Sequence, residues 1–262
     1  MTGQLPGSRS AELAAALTQV KNRLRAACAA AGRDPAEVRL LAVTKTFPAR
    51  DVALLADLGV LDVAESREQE ATSKVADVHA LRPAAALRWH MVGRLQRNKA
   101  RSMASWAVQV QSVDSLRLVD ALDRAVGILA EAGERDDQLG VLVQASLDGD
   151  PSRGGCPLPQ LGALADRVAA APRLRLEGMM GVVPLGADPR SAFAVLAEAA
   201  HRLRQEHPRA VELSTGMSGD LEQAIAQGAT CVRVGTALLG GRPIAFRSPC
   251  ATNRKHAGPN SW

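Results

Sequence analysis

Short apolar segments alternate with amphipathic helical segments along most of this 262-residue chain. The strand-like segments lie near residues 39–45, 61–65, 87–93, 107–112, 140–147, 174–182, 210–214 and 230–235. Buried parallel strands have this short, apolar character, and the helices between them supply the crossovers. Eight strand–helix units in about 250 residues predict an α/β fold, a single (β/α)8 barrel of the TIM type. A doubly wound open sheet is the alternative, although no Gly-x-Gly-x-x-Gly follows a strand.

A helix is predicted ahead of the first strand. Apolar side chains recur there at helical spacing, at Leu13, Leu17, Val20, Leu24 and Cys28. Gly32 follows as the expected stop signal. We therefore expect a flexible N-terminus at 1–9, a barrel domain at 10–241 and a disordered tail at 242–262, where periodicity is lost.

Composition excludes several classes of protein. The four cysteines, at positions 28, 156, 231 and 250, form no Cys-x-x-Cys pair, which disfavours a zinc site and fits a cytoplasmic protein. We find no signal-peptide pattern and no apolar run near the ~20 residues of a membrane span. The net charge is +5, but aromatic residues make up only 2%, which disfavours nucleic-acid binding by base stacking. The basic group at 94–101 could still meet an anionic partner.

Lys45 ends the first predicted strand, and Pro48 closes that segment. Barrels and other α/β folds place their chemistry at the carboxyl ends of strands. Partial burial there favours a neutral amine, which can form a Schiff base with carbonyl compounds, including pyridoxal 5′-phosphate (PLP). A lysine whose head group simply reaches solvent is the competing interpretation.

Two glycine-containing segments follow the last two predicted strands, at 213–218 and 233–236. Barrels frequently bind phosphate with the loops after strands seven and eight, where glycines admit the anion and hydroxyls donate to it. The residues available for this are Ser214, Gly216, Gly235 and Thr236. Ordinary turns are the alternative for each segment alone. Together with Lys45, the two segments predict a site for a phosphorylated carbonyl compound.

Arg233 and His90 have two interpretations each. Arg233 lies two residues before Gly235, so both are expected on the same face of the barrel. Its guanidinium could donate to a pyridine nitrogen, which would stay unprotonated and make the cofactor a poorer electron sink. An ion pair on the barrel rim is the alternative for Arg233. For His90, a satisfied core histidine is favoured over a general base.

Four segments together resemble the signature of the pyridoxal phosphate homeostasis proteins. They are Leu-Ala-Val-Thr-Lys at 41–45, Trp-His-Met-Val-Gly-x-Leu-Gln-x-Asn-Lys at 89–99, Leu-Ser-x-Gly-Met-Ser at 213–218 and Val-Arg-x-Gly-Thr-Ala at 232–237. The resemblance covers about Ser10 to Gly241 and keeps the motifs in order.

The resemblance implies a barrel like the N-terminal domain of alanine racemase, with PLP held as an internal aldimine on Lys45. It implies that Arg233 faces the pyridine nitrogen, and that the phosphate is held by Ser214, Gly235 and Thr236 with the backbone near Gly216 and Met217. Such proteins are regarded as binding PLP and handing it on in vitamin B6 homeostasis, without an accepted reaction. The expected partners are PLP and apo PLP-dependent enzymes as acceptors, with a monomer and no membrane or nucleic acid.

The chain departs from the family pattern at three positions. Ser66 stands where the motif after strand 2 usually has asparagine, Phe47 where some members carry a second lysine, and Arg153 where a lysine is expected after strand 5. These departures put in doubt one cofactor contact and any secondary lysine site for PLP.

A PLP-dependent racemase-like enzyme is the main functional alternative. A two-base racemase needs a second acid or base opposite Lys45, which in alanine racemase is a tyrosine on an additional domain, but this chain has no tyrosine and little sequence left for such a domain. A Schiff-base aldolase on a barrel is a further alternative and would need an acid near Lys45.

Overall fold

The predicted strand segments form a closed parallel barrel in the computed structural model, which describes residues 8–150 and 153–241. The strands are β1 (Arg39–Val43), β2 (Asp62–Glu65), β3 (Arg88–Met91), β4 (Gln109–Val113), β5 (Leu139–Ser146), β6 (Cys156–Pro157), β7 (Leu174–Met180), β8 (Glu212–Ser214) and β9 (Cys231–Val234). The ring order is β4-β3-β2-β1-β9-β8-β7-β5, and β5 pairs with β4 to close it. This closure confirms the (β/α)8 barrel and excludes the open sheet.

All strand pairs are parallel, and β6 is a two-residue addition beside β5 that the sequence did not indicate. The helices are α1 (Arg9–Ala30), α2 (Ala49–Asp57), α3 (Glu68–Leu81), α4 (Ala100–Ala104), α5 (Leu116–Glu131), α6 (Leu161–Ala169), α7 (Pro189–Glu206), α8 (Leu221–Ala226) and α9 (Thr236–Leu239). They surround the barrel because each amphipathic segment buries its apolar face against the strands.

The leading helix α1 is confirmed. Its five predicted apolar positions are all buried, and Gly32 follows its end with φ of 64°. The helix packs beside the last two helices of the barrel. Arg23 pairs with Glu222 of α8 at 2.8 Å, and Arg9 donates to the carbonyl of Leu239 at 2.8 Å.

The predicted domain limits of 10 and 241 stay a prediction, because residues 1–7 and the whole predicted tail, 242–262, lie outside the described residues. Within the described part, Ser8 caps α1 and Arg9 is its first residue, so this helix begins one residue before the predicted limit of 10. Among these residues, none of the helices combines the length and the apolar character needed to cross a membrane.

Candidate functional site

A cavity of about 520 Å³ opens at the carboxyl ends of the strands, where the loops after β1, β3, β7, β8 and β9 meet. Its apolar wall consists of Val43, Phe47, Val92, Met180 and Val182. Its polar side chains are Lys45, Thr46, Ser218, Arg233 and Thr236. An apolar pocket with a few convergent polar groups is the usual form of a small-molecule site.

Lys45 lies two residues beyond the end of β1, half-buried in this cavity. Its amine has no hydrogen-bond or ion-pair partner within the described part of the chain. Because β1 pairs with β9, with Ala42 beside Val234, the loops that carry Lys45 and Gly235 are neighbours on the rim. The register therefore places the predicted lysine and the second predicted phosphate loop on adjacent strands.

The loops after β8 and β9 bring several donors to the cavity wall. The backbone N–H groups of Ser218, Gly219 and Gly235 have no partner among the described residues, and neither does the hydroxyl of Thr236. Such an arrangement can bind a phosphate, because each of these N–H and O–H groups can donate to a phosphate oxygen. A Cβ at Gly235 would lie 3.4 Å from the Val43 carbonyl oxygen, an ordinary contact distance, so this loop lies against the end of β1 without requiring glycine.

Ser218 has a different local role from the one its position suggests. By its position in the sequence Ser218 could cap α8, but that helix starts at Leu221 with Asp220 as its N-cap residue. The Ser218 hydroxyl instead accepts from the backbone N–H of Ala237 at 3.3 Å, which ties the two donor loops together. Ser218 and Gly219 are therefore cavity residues that were not predicted from the sequence as site residues.

Gly216 and Met217 shape the first loop. Gly216 has φ of 84°, and a Cβ there would lie 2.5 Å from the Cβ of Ala224, so glycine is needed for packing against α8. The backbone N–H of Met217 donates to Asp220 Oδ1 at 2.6 Å, and the Met217 side chain is partly exposed at the mouth. In this structure the Met217 N–H is therefore engaged within the loop.

Arg233 and Ser214 lie together inside the barrel. Both are buried, and only Arg233 lines the cavity. The Arg233 guanidinium donates to the Ser214 carbonyl at 2.7 Å, to the Ser214 hydroxyl at 2.9 Å and to the Gly181 carbonyl at 2.9 Å. Burial lowers the pKa of Arg233. The role of Ser214 as a phosphate ligand stays a prediction, since its hydroxyl also donates to Gln111 at 2.7 Å.

A chain of polar side chains continues from Ser214 towards the amino ends of the strands. Gln111 donates to Gln109 at 2.7 Å, and His90 lies 3.0 Å from both Gln109 Oε1 and Asp62 Oδ1. Burial would raise the pKa of Asp62, but hydrogen bonds from His90 and Arg88 outweigh it and lower that pKa. His90 thus has the environment of a satisfied core histidine, as favoured from the sequence.

The three departures from the family pattern lie in different places. Phe47 is buried and forms part of the apolar cavity wall. Arg153 donates to the Val183 carbonyl at 2.9 Å and so links the loops after β5 and β7. Ser66 lies outside the cavity wall. Its backbone packs so closely on Gly93 that a Cβ added at position 93 would overlap the Ser66 carbonyl oxygen.

Comparison with known families finds a match over most of the chain. The family model described as alanine racemase, N-terminal domain, matches residues 16–243. A protein of Mycobacterium leprae named pyridoxal phosphate homeostasis protein is 50% identical over 254 residues, which cover 94% of this chain and 98% of that protein.

Two solved structures share the architecture. PipY of Synechococcus elongatus with PLP bound has a TM-score of 0.73 and 33% identity, and the match covers 87% of this chain and 100% of that chain. An alanine racemase from Corynebacterium glutamicum has a TM-score of 0.61 and 15% identity, over 88% of this chain and 63% of that one. At that identity the racemase likeness shows the fold alone.

Proposed function

The chain belongs to the pyridoxal phosphate homeostasis proteins, a family on the alanine racemase N-terminal-domain fold, and on that premise we propose that it binds PLP beside Lys45 and acts in intracellular PLP homeostasis. The proposal is supported by the PipY neighbour, whose structure contains PLP. It is also supported by the cavity, which collects on one rim the groups that PLP requires.

The proposal is carried by one juxtaposition: an amine and several phosphate donors that are unpaired among the described residues lie side by side. Lys45 lies on the loop next to Gly235 and Thr236, and Ser218 and Gly219 complete the donor set. The bound group would supply an aldehyde, whose condensation with the Lys45 amine would form a C=N bond and release one water molecule. The apolar wall suits the pyridine ring, and the chain's residues therefore fit PLP.

Arg233 would act at the ring end of the site. Its guanidinium reaches the cavity from inside the barrel and remains a donor at neutral pH, because arginine does not release its proton readily. A pyridine nitrogen beside it would accept a hydrogen bond and stay unprotonated. This favours holding the cofactor over catalysis that uses the ring as an electron sink.

We further propose that the chain has no robust catalytic activity and that apo PLP-dependent enzymes receive the bound PLP. The absence of tyrosine from the 262 residues supports this over a racemase of the alanine racemase type. We propose residues 10–241 as the PLP-binding unit, and the family match at 16–243 supports this. A cytoplasmic location is supported by the three free, buried thiols in the described residues.

The proposed function is tested by the absorbance spectrum and by borohydride trapping. The purified chain, supplied with PLP, should absorb in the visible, and reduction followed by peptide mapping should place the adduct on Lys45. Lys45→Ala should abolish both signals, whereas Lys21→Ala, an exposed lysine on α1, should leave them unchanged. A colourless wild-type chain, or an adduct found chiefly on another lysine, would contradict the assignment.

A further inference from the structure

The turn that carries Lys45 has a strained backbone. Thr46 has φ of 69°, in the left-handed region, and it is the only non-glycine residue in the described ranges with a positive φ. A β-branched side chain is unfavourable in that region, so the surrounding structure has to hold the turn in place.

The residues on either side of Lys45 are hydrogen-bonded through their backbones to one ion pair. The backbone N–H of Thr46 donates to Glu70 Oε1 at 2.7 Å, and Lys74 Nζ donates to the Thr44 carbonyl at 3.0 Å. Lys74 and Glu70 are in turn joined at 3.0 Å through the same Glu70 oxygen. The three residues 44–46 are therefore held on each side of Lys45 by a single pair on α3.

Glu65 anchors that pair inside the barrel wall. It accepts from Lys74 Nζ at 2.8 Å and from the Thr44 hydroxyl at 2.7 Å, and both Glu65 and Lys74 are buried. Burial raises the pKa of Glu65, while the contacts with Lys74 and Thr44 act in the opposite direction. The cluster of Glu65, Glu70 and Lys74 is thus fixed to β2 and α3 and reaches across to the turn after β1.

We infer that Glu70, held by Lys74 and Glu65, is a positioning residue that fixes the strained turn and so aims the Lys45 amine into the cavity. This inference rests on the proposed function. It assigns a role to Glu70, which lies four residues after Ser66 in the segment that follows β2. Reactions between groups held in position gain most from such fixed geometry.

Two ligands separate an effect on Lys45 from an effect on the rest of the site. PLP can form the adduct with the amine, whereas pyridoxine 5′-phosphate keeps the ring and phosphate but carries an alcohol in place of the aldehyde. We would measure the borohydride-trapped Lys45 adduct at increasing PLP, and the affinity for pyridoxine 5′-phosphate by calorimetry. The variants are Glu70→Ala and the matched control Asp34→Ala, which removes a carboxylate-to-backbone bond of 2.8 Å at the other end of β1.

Glu70→Ala should lower the apparent affinity for adduct formation by at least about 10-fold, the lower end for loss of one charge-assisted hydrogen bond. Affinity for pyridoxine 5′-phosphate should change by less than about 2-fold, because its ring and phosphate contacts lie elsewhere. Asp34→Ala should leave both affinities unchanged. Glu70→Gln should recover most of the adduct, since its amide oxygen can still accept from Thr46.

Thr46→Gly offers a second and independent test. Glycine adopts this φ without strain, so the turn needs the clamp less. In the Thr46→Gly background the loss caused by Glu70→Ala should therefore shrink by several-fold.

Three results would overturn the inference. The first is a Glu70→Ala variant that forms the Lys45 adduct as readily as the wild type. The second is an equal fall in the affinity of this variant for PLP and for pyridoxine 5′-phosphate. The third is full additivity of the effects of Glu70→Ala and Thr46→Gly on adduct formation, because the two residues would then act independently. A wild-type chain that forms no adduct at all would contradict the proposed function itself, and this inference with it.

Discussion

The guanidinium of Arg233 donates a 2.9 Å hydrogen bond to the hydroxyl of Ser214. The sequence assigned these residues to opposite ends of the cofactor, one to the pyridine nitrogen and the other to the phosphate. In the structure they are direct partners, and the same hydroxyl donates a hydrogen bond of 2.7 Å to Gln111 Oε1. Ser214 is thus placed to hold Arg233, while Ser218 lies on the cavity wall with the phosphate donors.

The two serines should therefore differ in their effect on PLP affinity. Ser218→Ala and Thr236→Val should each weaken binding about 10-fold or more, because each removes a donor to a dianion worth roughly 1.5–3 kcal/mol. Ser214→Ala should change PLP affinity less than either. Titration of the visible absorbance measures this, with circular dichroism as the control for folding. A larger loss from Ser214→Ala than from Ser218→Ala would return Ser214 to the phosphate, as the sequence predicted.

Removal of the phosphate from the ligand should lower the binding affinity more than the substitution of any single side chain. Pyridoxal should bind at least about 100-fold more weakly than PLP if two charge-assisted bonds are lost. The physical reason is that the N–H groups of Ser218, Gly219 and Gly235, which have no partner in the described part of the chain, would donate to the phosphate. Competition between the two ligands for the Lys45 adduct measures the ratio. Equal affinities would contradict the phosphate cradle.

The barrel could be predicted from the sequence because its strands are short apolar runs at regular spacing. The position of Lys45 at the end of β1 followed directly from that pattern. The partners of Ser214 could not be predicted from the sequence. Its hydroxyl points into the barrel interior because it bonds to Arg233 and Gln111, which lie on other strands. The role of Ser218 could not be predicted for a similar reason: local sequence does not show that its hydroxyl meets the backbone N–H of Ala237.

A glycine in β7 should be indispensable for the barrel. Gly178 has φ of 151°, and a Cβ there would overlap the carbonyl oxygen of Glu212 on β8. Gly178→Ala should lower the free energy of unfolding by about 2 kcal/mol or more, since two paired strands must move apart. Gly127→Ala is the matched control, because a Cβ at this position of α5 would lie within 4 Å of no atom in the described part of the chain. It should stabilise by roughly 0.5–1 kcal/mol in urea unfolding.

Stability should fall at alkaline pH through Cys231. Burial, and next the Glu212 carboxylate, raise the pKa of this thiol from 9.0 to about 11. Between these values the unfolded chain loses the proton while the folded chain keeps it, so stability present below pH ~9 is lost as pH rises through ~11. The loss amounts to roughly 2–3 kcal/mol, at about 1.4 kcal/mol for each pH unit. Urea unfolding at several pH values measures it.

Cys231→Ala separates this effect from the titration of lysines, which both proteins share. The variant should be less stable overall because of the space left by the sulfur, but its loss of stability between pH 9 and 11 should be smaller than that of the wild type. Identical pH profiles for the two proteins would show that the Cys231 thiol does not titrate differently in the folded and unfolded chains.

The last prediction concerns racemization. Racemization removes a proton from one face of the substrate carbon and returns one to the other face. Lys45 could serve one face, but the chain has no tyrosine for the other, and His90 is buried in contacts with Gln109 and Asp62. With Arg233 at the ring nitrogen the electron sink would also be weak. Turnover of alanine or serine at saturating PLP should fall far below the ~1–10³ s⁻¹ of typical enzymes. Chiral chromatography measures it, and turnover within that range that is lost in Lys45→Ala would favour a racemase over a PLP carrier.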